Sequence, residues 1–329
     1  MVQLNLNTNT LCWTRRRRGR GFSYCDESGK PVKDKAHLKR VRSLAIPPMW
    51  EDVLICATGE SKVQAVGRDL KGRKQYIYHS EWTAHRQQAK FRTLRKFGKE
   101  LPRIREHAIE QLSTKGWSKE KVLSLMILIL DDTGIRIGNR QYLDANNTYG
   151  LSTLRRRHLD QEDDALVFEY QGKSGKSREV RVEDETLMAF IKKTAEQPGY
   201  EIFRYQTSDG KWEGVDSEDI NEYIHLHLGA DYSSKFFRTW VANRTLLEEH
   251  AAAIAEKAEN PRKSKQKLLV RRVANALGNT PSVCKNYYLH PGVLKRAVRA
   301  DSLPLEETHY GLHAEHTESE RLLLKMMKG

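Results

Sequence analysis

The sequence predicts an α+β protein with a small β-rich N-terminal domain and a larger, mostly helical domain. Short runs of alternating apolar and polar residues, separated by turn residues, fill residues 46–78. Beyond about residue 85, apolar residues recur every 3.6 positions instead. A chain of 329 residues is long enough to bury two cores. We therefore expect domains at residues 1–85 and 86–329.

Three strands are expected in the first domain, at residues 52–56, 63–67 and 74–78, with a turn at 69–73 between the last two. Alternation places Gln75 on one face of the last strand and both Tyr76 and Tyr78 on the other. A tyrosine pair on a strand can serve packing or recognition. Recognition of an anionic partner is favoured here by basic neighbours, which are Arg68, Lys71, Arg73 and Lys74.

The first 40 residues are polar and strongly basic, with four successive arginines at 15–18 and a fifth at Arg20. This tract can be a solvated strand edge, or it can contact phosphates without choosing a sequence. Both interpretations stay open.

In the second domain, helices are expected at residues 89–98 and 101–115, before a helix that Ser118 caps and that runs to about residue 132. Its Leu, Met and Ile content predicts the central core helix, and it leads directly to Arg136. A small hairpin follows, with strands at 165–170 and 178–182 and two lysines, Lys173 and Lys176, in its turn.

Further helices are expected at residues 184–195, 217–228 and from about Ser234, which carries Arg238. Residues 256–266 are highly charged and are predicted to form a loop. After a basic helix at 265–276, the run Gly-Asn-Thr-Pro at 278–281 predicts a helix stop, a turn and a restart. Tyr287 and Tyr288 then lie about two turns into the new helix. The tail is expected to form a surface helix at 318–328 without chemistry.

Composition narrows the class of partner. Lys and Arg number 57 against 43 for Asp and Glu, a net charge of +14, which is typical of proteins that meet nucleic acid or an anionic membrane. The longest apolar run, 122–130, is too short to span a bilayer, and no signal-type segment begins the chain. The 4 cysteines lack C-x-x-C spacing, so we expect free thiols in a reducing cytoplasm and no metal site.

Five positions together suggest phosphodiester chemistry, in the order Arg136, Lys173 or Lys176, Arg238, Asn279 and a tyrosine. When a tyrosine attacks a phosphodiester, negative charge spreads over the non-bridging oxygens, and arginine forks can stabilise it. A lysine can protonate the leaving 5′-oxygen. The arginines supply charge that a metal would otherwise supply, and the phosphotyrosine conserves the bond energy, so neither metal nor ATP is required.

This set, with the Gly-Asn-Thr-Pro turn and the Gln-Tyr-x-Tyr strand, resembles the type IB DNA topoisomerases of the compact poxvirus and bacterial branch, over roughly residues 40–300. The resemblance implies that Tyr288 attacks to form a 3′-phosphotyrosine, that Tyr287 packs, and that Lys173 is the acid. It implies a monomeric cytoplasmic clamp on duplex DNA of the nucleoid, without cofactor, nucleotide, metal or membrane. The implied DNA contacts are Arg68, Lys71, Arg73, Gln75, Tyr76, Tyr78 and Tyr142.

One position departs from the family. Many members have histidine where this chain has Asn279, and an amide can donate a hydrogen bond to a phosphate but cannot titrate near neutral pH. We therefore expect activity without a histidine-like pKa from this residue.

Two rival interpretations remain. A tyrosine recombinase uses a related residue set, but it usually carries His-x-x-Arg around the second arginine, where this chain has Lys235, and its first domain is normally helical. A basic DNA-binding clamp without activity is the other rival, and a covalent protein–DNA adduct would separate it from an enzyme.

Overall fold

A computed structural model of the chain describes residues 11–305 and 312–328, which form two compact units that divide between Lys90 and Phe91. The first unit is a β-sheet with one short helix before a long helix begins. The second is mostly helical and contains a three-stranded sheet. The predicted α+β class is confirmed. Among the described residues, none of the helices combines the length and the apolarity that crossing a membrane requires.

The first unit is built on a five-stranded antiparallel sheet in the order β2-β1-β3-β4-β5. The strands are β1 (Leu11–Arg18), β2 (Gly21–Cys25), β3 (Glu51–Cys56), β4 (Val63–Arg68) and β5 (Lys74–Tyr78), and helix α1 (Lys35–Ser43) precedes β3. The three predicted strands are confirmed as β3, β4 and β5. Helix α1, β1 and β2 were not predicted.

The basic N-terminal tract divides between two roles. Arg15 stacks on Phe22 at 4.1 Å and donates hydrogen bonds to the carbonyls of Ile46, Pro47 and Trp50, at 3.2, 3.1 and 2.6 Å. Its guanidinium therefore fixes the loop that leads into β3. The remaining arginines of the tract, residues 16–18 and 20, are exposed, so a phosphate contact is open only to them.

Helix α2 (Ser80–Leu112) corrects the prediction of two helices at 89–98 and 101–115. It runs unbroken through the segment that we expected to join the domains, and it contains Pro102. A proline inside a helix removes one backbone hydrogen bond. Here Phe97, Leu101 and Ile104 are fully buried on the same helix, so core packing outweighs that local cost.

Beyond α2, the described residues of the second unit form ten helices, five strands and three short 3₁₀ turns. The helices are α3 (Lys119–Thr133), α4 (Arg140–Asn146), α5 (Glu185–Ala195), α6 (Ser217–Leu228), α7 (Ser234–Glu248), α8 (His250–Glu259), α9 (Lys265–Leu277), α10 (Pro281–Tyr287), α11 (Pro291–Arg299) and α12 (Glu318–Met326). The strands are β6 (Leu159–Glu162), β7 (Ala165–Gly172), β8 (Lys176–Val182), β9 (Arg204–Gln206) and β10 (Trp212–Gly214), and the 3₁₀ turns are Leu151–Thr153, Arg156–His158 and Lys173–Gly175.

Helix α3 is the central helix of this unit, as predicted. Ser118 caps it by accepting from the Lys121 amide, and its residues from Lys121 to Asp131 are all buried. A helix that is buried on all sides gives a rigid base. Its end at Gly134, in the left-handed conformation with φ 61°, therefore fixes where the following loop begins.

The charged segment 256–266 is not the predicted loop. Its first residues finish α8 and its last residues begin α9, which leaves only 260–264 as a connection. The reason is pairing across the two helices. Glu256 accepts from Arg271 at 2.5 Å, from Lys263 at 3.3 Å and from Arg272 at 3.4 Å, so its charge stabilises helical structure here.

The predicted tail helix is confirmed as α12, but only one of its faces is at the surface, because Ser319, Glu320 and Leu323 are buried. Glu320 is fully buried and receives two hydrogen bonds from Arg105, at 2.6 and 2.8 Å, and one from the Trp240 indole at 2.7 Å. Arg105 also donates to Asp131 of α3 at 2.6 Å. Burial alone would raise the pKa of Glu320, but the bonds and charge of Arg105 lower it to about 2. The helix is thus held to the core by a buried ion pair.

We expect Glu320→Gln to lower the free energy of unfolding by about 3–5 kcal/mol at neutral pH, because it leaves Arg105 with an incomplete buried partner set. Since the folded pKa is depressed, this contribution is complete above about pH 4.5 and is lost as the pH falls toward about 2. Urea unfolding at pH 7 and at low pH measures both effects. Glu318→Gln, at an exposed position of the same helix, is the matched control. Equal stability of the two variants would contradict the structural role of Glu320.

Candidate active site

The turn between α9 and α10 is organised as its sequence predicts. Gly278 ends α9 with φ 56°. The backbone N–H of Asn279 closes the helix end by donating to Ala274 O at 2.8 Å. The Thr280 hydroxyl caps α10 by accepting from the Val283 amide at 3.3 Å, and Pro281 takes the first helical position. Asn279 is thereby held between two helix ends.

The loop that carries Arg136 is fixed by close backbone packing. Leu151 N donates to Arg136 O at 2.8 Å, and Ser152 N donates to Ile137 O at 2.7 Å. A Cβ atom on Gly150 would lie 2.5 Å from the Gly138 nitrogen, so only glycine allows this approach. The loop therefore presents the Arg136 side chain from a rigid backbone.

Arg238 lies on α7 with its side chain buried, and only 5% of the residue is exposed. Its guanidinium donates to Gly134 O at 2.5 Å and to Leu277 O, which are carbonyls at the ends of α3 and α9. Burial, and then the charge of Arg136, lower the pKa of Arg238 to about 10, so it remains charged at neutral pH. One side chain thus joins the three segments that carry Arg136, Arg238 and Asn279.

The Asn279 amide lies between the two arginines. Its Oδ1 accepts from Arg136 Nη2 at 2.7 Å and faces Arg238 Nη2 at 3.4 Å. Guanidinium groups only donate, so they require this orientation of the amide. Asn279 Nδ2 is then a buried donor without a partner among the described residues. A buried unpaired donor beside two cations is the arrangement that an anionic oxygen would satisfy.

Tyr288 follows the last residue of α10, and its ring centre lies 5.6 Å from the Arg238 guanidinium carbon. The fully buried Asn243 of α7 fixes the backbone here, because its Nδ2 donates to Tyr288 O at 2.8 Å and its Oδ1 accepts from His290 N at 2.7 Å. Tyr287 was expected to pack, but it is 58% exposed. Tyr288 is the partly buried member of the pair, packed against the core.

The hairpin between β7 and β8 places both candidate lysines at its tip. Lys173 begins the 3₁₀ turn, Ser174 takes a left-handed φ of 66°, and Lys176 begins β8. Both lysines are exposed, so burial does not choose between them. A third arginine, Arg178, lies two residues further on and is buried, with 8% exposed.

Arg136, Arg178 and Arg238 form a cationic cluster without a carboxylate partner among the residues that the structure describes. The charges influence one another, since both Arg136 and Arg178 contribute to lowering the pKa of Arg238. Holding like charges together in a buried site costs free energy unless an anion binds there. The site is therefore suited to a phosphodiester.

Comparison with known proteins decides the family. The family model for the catalytic core of eukaryotic DNA topoisomerase I matches residues 79–302, which is more than half of the chain. The family model for the N-terminal domain of bacterial DNA topoisomerase IB matches residues 21–69. The chain belongs to the type IB DNA topoisomerase family. It is an enzyme of this class, and the two matches disfavour the recombinase interpretation.

Sequence similarity to known viral topoisomerases extends over most of this chain. DNA topoisomerase 1B of Acanthamoeba polyphaga mimivirus is 28% identical over 299 residues, which is 88% of this chain and 87% of that protein. DNA topoisomerase 1B of Vaccinia virus (strain Copenhagen) is 26% identical over 270 residues, 80% of this chain and 79% of that protein. The XerH site-specific recombinase bound to its difH substrate is similar over 60% of this chain and 51% of its own, at 14% identity and a TM-score of 0.35.

The edge strand β5 of this topoisomerase carries the predicted DNA-facing tyrosines. Tyr76 and Tyr78 are each 43% exposed, and their rings stack with centres 6.0 Å apart. Gln75 lies on the opposite face, where its amide donates to Asp69 at 2.9 Å. The basic residues of the neighbouring turn are exposed, at Arg68, Lys71 and Arg73. Tyr142 lies on α4, but its side chain lies outside the described residues.

Three residues of the site or its support were not predicted, Arg178, Asn243 and Gly150. Asn243 follows Arg238 by five positions on a helix, and an asparagine there gives no signal of its contact with residue 288. Gly150 lies in a polar loop, where glycine is common. Only their contacts in the folded chain identify them.

Among the residues that the structure describes, one group of side chains is close enough together to hold a metal ion, and the absence of a metal site stays a prediction. His107, Glu120 and His227 offer ligand atoms within 4.8 Å of one another, and His107 Nε2 lies 3.0 Å from Glu120 Oε1. Glu120 is in the first turn of α3, whereas Arg136 follows its last turn, so about 20 Å separate the group from the arginines. Nothing in this geometry connects it with the arginine cluster.

Proposed function

We propose that this topoisomerase relaxes supercoiled duplex DNA by cutting one strand through a 3′-phosphotyrosine on Tyr288, letting the cut strand swivel, and rejoining it. The observation that carries the proposal is the position of Asn279, which shares one amide oxygen between Arg136 and Arg238. The unpaired Nδ2 of the same amide is buried beside these cations. Three donor groups thus meet at Asn279, and the guanidinium carbon of one of them, Arg238, lies 5.6 Å from the centre of the Tyr288 ring.

In the proposed cleavage step, the Tyr288 oxygen bonds to phosphorus and the phenol proton passes to solvent. Arg136, Arg238 and Asn279 Nδ2 donate to the non-bridging oxygens as their negative charge increases. The bond from phosphorus to the 5′-oxygen breaks, and Lys173 gives that oxygen a proton. The reverse sequence rejoins the strand.

Two features of the chemistry argue that neither ATP nor a metal takes part. The phosphotyrosine ester conserves the energy of the broken bond, and the aryl oxygen is a better leaving group than the sugar oxygen that returns. The guanidinium groups supply the positive charge that a metal would supply in other phosphoryl transfers. We therefore propose an enzyme without cofactor, and from the family resemblance we propose that it works on nucleoid DNA as a monomer.

We propose that DNA lies against the exposed face of β5, where Tyr76 and Tyr78 project beside basic side chains. Phosphates would meet the exposed charges of the β4–β5 turn, which positions the duplex without reading its sequence. Gln75 and Tyr142 remain proposed contacts from the family resemblance. The contact residues we propose are Arg68, Lys71, Arg73, Gln75, Tyr76, Tyr78 and Tyr142.

The test is relaxation of supercoiled plasmid with EDTA and without ATP, together with trapping of the covalent complex by denaturant. We expect relaxation, and we expect label to stay with the protein when the DNA is labelled on the side of the cut that ends in the 3′-phosphate. Binding without relaxation or adduct would instead support a DNA-binding clamp that lacks activity. An adduct at the 5′ side would exclude the proposed polarity.

Replacing Asn279 tests how much the site depends on a neutral amide. We expect the pH–rate profile of wild-type cleavage to show no break that depends on residue 279. Asn279→His should introduce a break at or below about pH 6.5, because the neighbouring arginines disfavour the imidazolium. The rate of the histidine variant should rise as the pH falls through this break, since the added charge faces the phosphate. Single-turnover cleavage across the neutral range measures it. A wild-type break near this pH that disappears in Asn279→Ala would overturn the assignment.

A further inference from the structure

Arg178 occupies a position between two parts of the active site. It lies on β8 opposite Tyr170 of β7, and it is buried. A Cβ on Gly172 would lie 2.6 Å from Arg178 Cγ, and a Cβ on Gly278 would lie 1.4 Å from Arg178 Nη1. The stem of the arginine therefore packs on one glycine and its guanidinium on the other.

These two glycines immediately precede the two residues that the reaction needs to bring together. Gly172 precedes Lys173 on the hairpin, and Gly278 precedes Asn279 on the turn after α9. The two segments are more than 100 positions apart in the chain. Arg178 is the side chain that contacts both of them at the residue before the functional group.

The remaining contacts of Arg178 also join these segments. Its Nη2 lies 3.4 Å from Ala276 O in the last turn of α9, and the buried Tyr170 is its cross-strand neighbour on β7. Neither neighbour is a carboxylate. The arginine is thus held by packing and a neutral acceptor, and its charge is not used in an ion pair among the described residues.

The need for such a support follows from where Lys173 lies. The lysine is exposed at the tip of a short turn, and a long flexible side chain loses considerable rotamer freedom when it must reach one atom. A displacement of about 1 Å at a reacting group can cost about 10²-fold in rate. Fixing the backbone at Gly172 relative to the Asn279 turn restricts where Lys173 can reach.

We propose that Arg178 is a positioning residue, which holds the hairpin carrying Lys173 against the turn carrying Asn279 so that the lysine reaches the leaving 5′-oxygen. This inference rests on the proposed function of Lys173 as the proton donor. Arg178 adds its positive charge to the arginine cluster, but in this proposal it touches neither the phosphate nor the leaving group.

The test compares two DNA substrates that differ in one atom, a 5′-oxygen or a 5′-sulfur bridging the scissile phosphate. When sulfur leaves as a thiolate, no proton donor is required. The sulfur substrate should therefore restore the cleavage rate only of variants that are impaired in proton donation. The rate measured is single-turnover cleavage at saturating enzyme. Lys173→Ala is the reference, and we expect it to be slow on oxygen and close to wild type on sulfur.

Arg178→Met should behave as Lys173→Ala does, with cleavage about 10²-fold slower on the oxygen substrate and within a few-fold of wild type on the sulfur substrate. Gly172→Ala provides a second test that keeps every charge, because its methyl group displaces the Arg178 stem. Its backbone φ of −90° is open to alanine. Arg181→Met, at an exposed position of the same strand, is the control and should leave both rates unchanged.

The outcomes separate the two levels of the proposal. If Lys173→Ala is not slowed on oxygen, the proton-donor role of Lys173 fails, whatever Arg178 does. If Lys173→Ala is rescued by sulfur but Arg178→Met and Gly172→Ala are equally slow on both substrates, the positioning role of Arg178 is overturned. If Arg178→Met does not fold, the Gly172→Ala result alone decides.

Discussion

We expect Tyr288→Phe to yield no covalent protein–DNA adduct and no relaxation of supercoiled plasmid. The substitution removes the attacking oxygen and keeps the ring, so the packing beside Arg238 at 5.6 Å is retained. Removal of a nucleophile in other enzymes lowers the rate on the order of 10⁶-fold, which is complete loss in a plasmid assay. Unchanged binding to linear duplex DNA would assign the loss to chemistry.

The neighbouring tyrosine provides the matched control. Tyr287 is 58% exposed, whereas Tyr288 is fixed through its carbonyl by Asn243 and lies at the arginine cluster. Tyr287→Phe should therefore retain relaxation within a few-fold of wild type. If the adduct persists in Tyr288→Phe and disappears in Tyr287→Phe, the nucleophile has been assigned to the wrong residue.

We expect Arg136→Ala to reduce the rate of cleavage about 10³–10⁵-fold, which is the range over which an arginine stabilises the transition state of phosphoryl transfer. The change removes one guanidinium and also the 2.7 Å hydrogen bond that orients the Asn279 amide. Asn279 would then keep only the longer contact to Arg238, at 3.4 Å. Arg136→Lys should recover only part of the rate, because an ammonium cannot donate as a fork.

The control for Arg136 is Arg140→Ala, four positions along the same segment and exposed. Both variants lose one positive charge, so they should weaken DNA binding in a similar way, but Arg140→Ala should keep single-turnover cleavage near the wild-type rate. The measurement uses enzyme in excess over DNA, which removes the effect of binding. Equal losses in the two variants would mean that Arg136 acts only through general charge.

Elements with strong local signals were predicted well. Helix α3 has a serine cap and a continuous apolar composition, and β5 has strict alternation after a Gly-containing turn. The turn at Gly278 follows from three adjacent residues with known preferences. These features depend on neighbours in sequence, so they can be inferred before the fold is known.

Elements that depend on distant partners were predicted poorly. Helix α12 carries several charges, and the burial of Glu320 is explained by its contacts with Arg105, 215 positions earlier, and with Trp240. The hairpin of β1 and β2 was hidden in a basic tract, because Arg15 satisfies carbonyls more than 30 positions away. A charged segment is expected to lie at the surface when only its own sequence is considered. Partners far along the chain can instead bury its charged side chains.

The sequence by itself determined the α+β class, the basic character that favours a nucleic-acid partner, and the order of the candidate residues from Arg136 to Tyr288. The tertiary structure alone decided that Asn279 turns its oxygen to two arginines, that Asn243 holds the backbone of Tyr288, and that Arg178 lies between two glycines. The physical reason is separation along the chain. Arg136 and Asn279 are 143 positions apart, and no local preference specifies a hydrogen bond over that distance. Packing of α7 against both α3 and α9 brings those groups together.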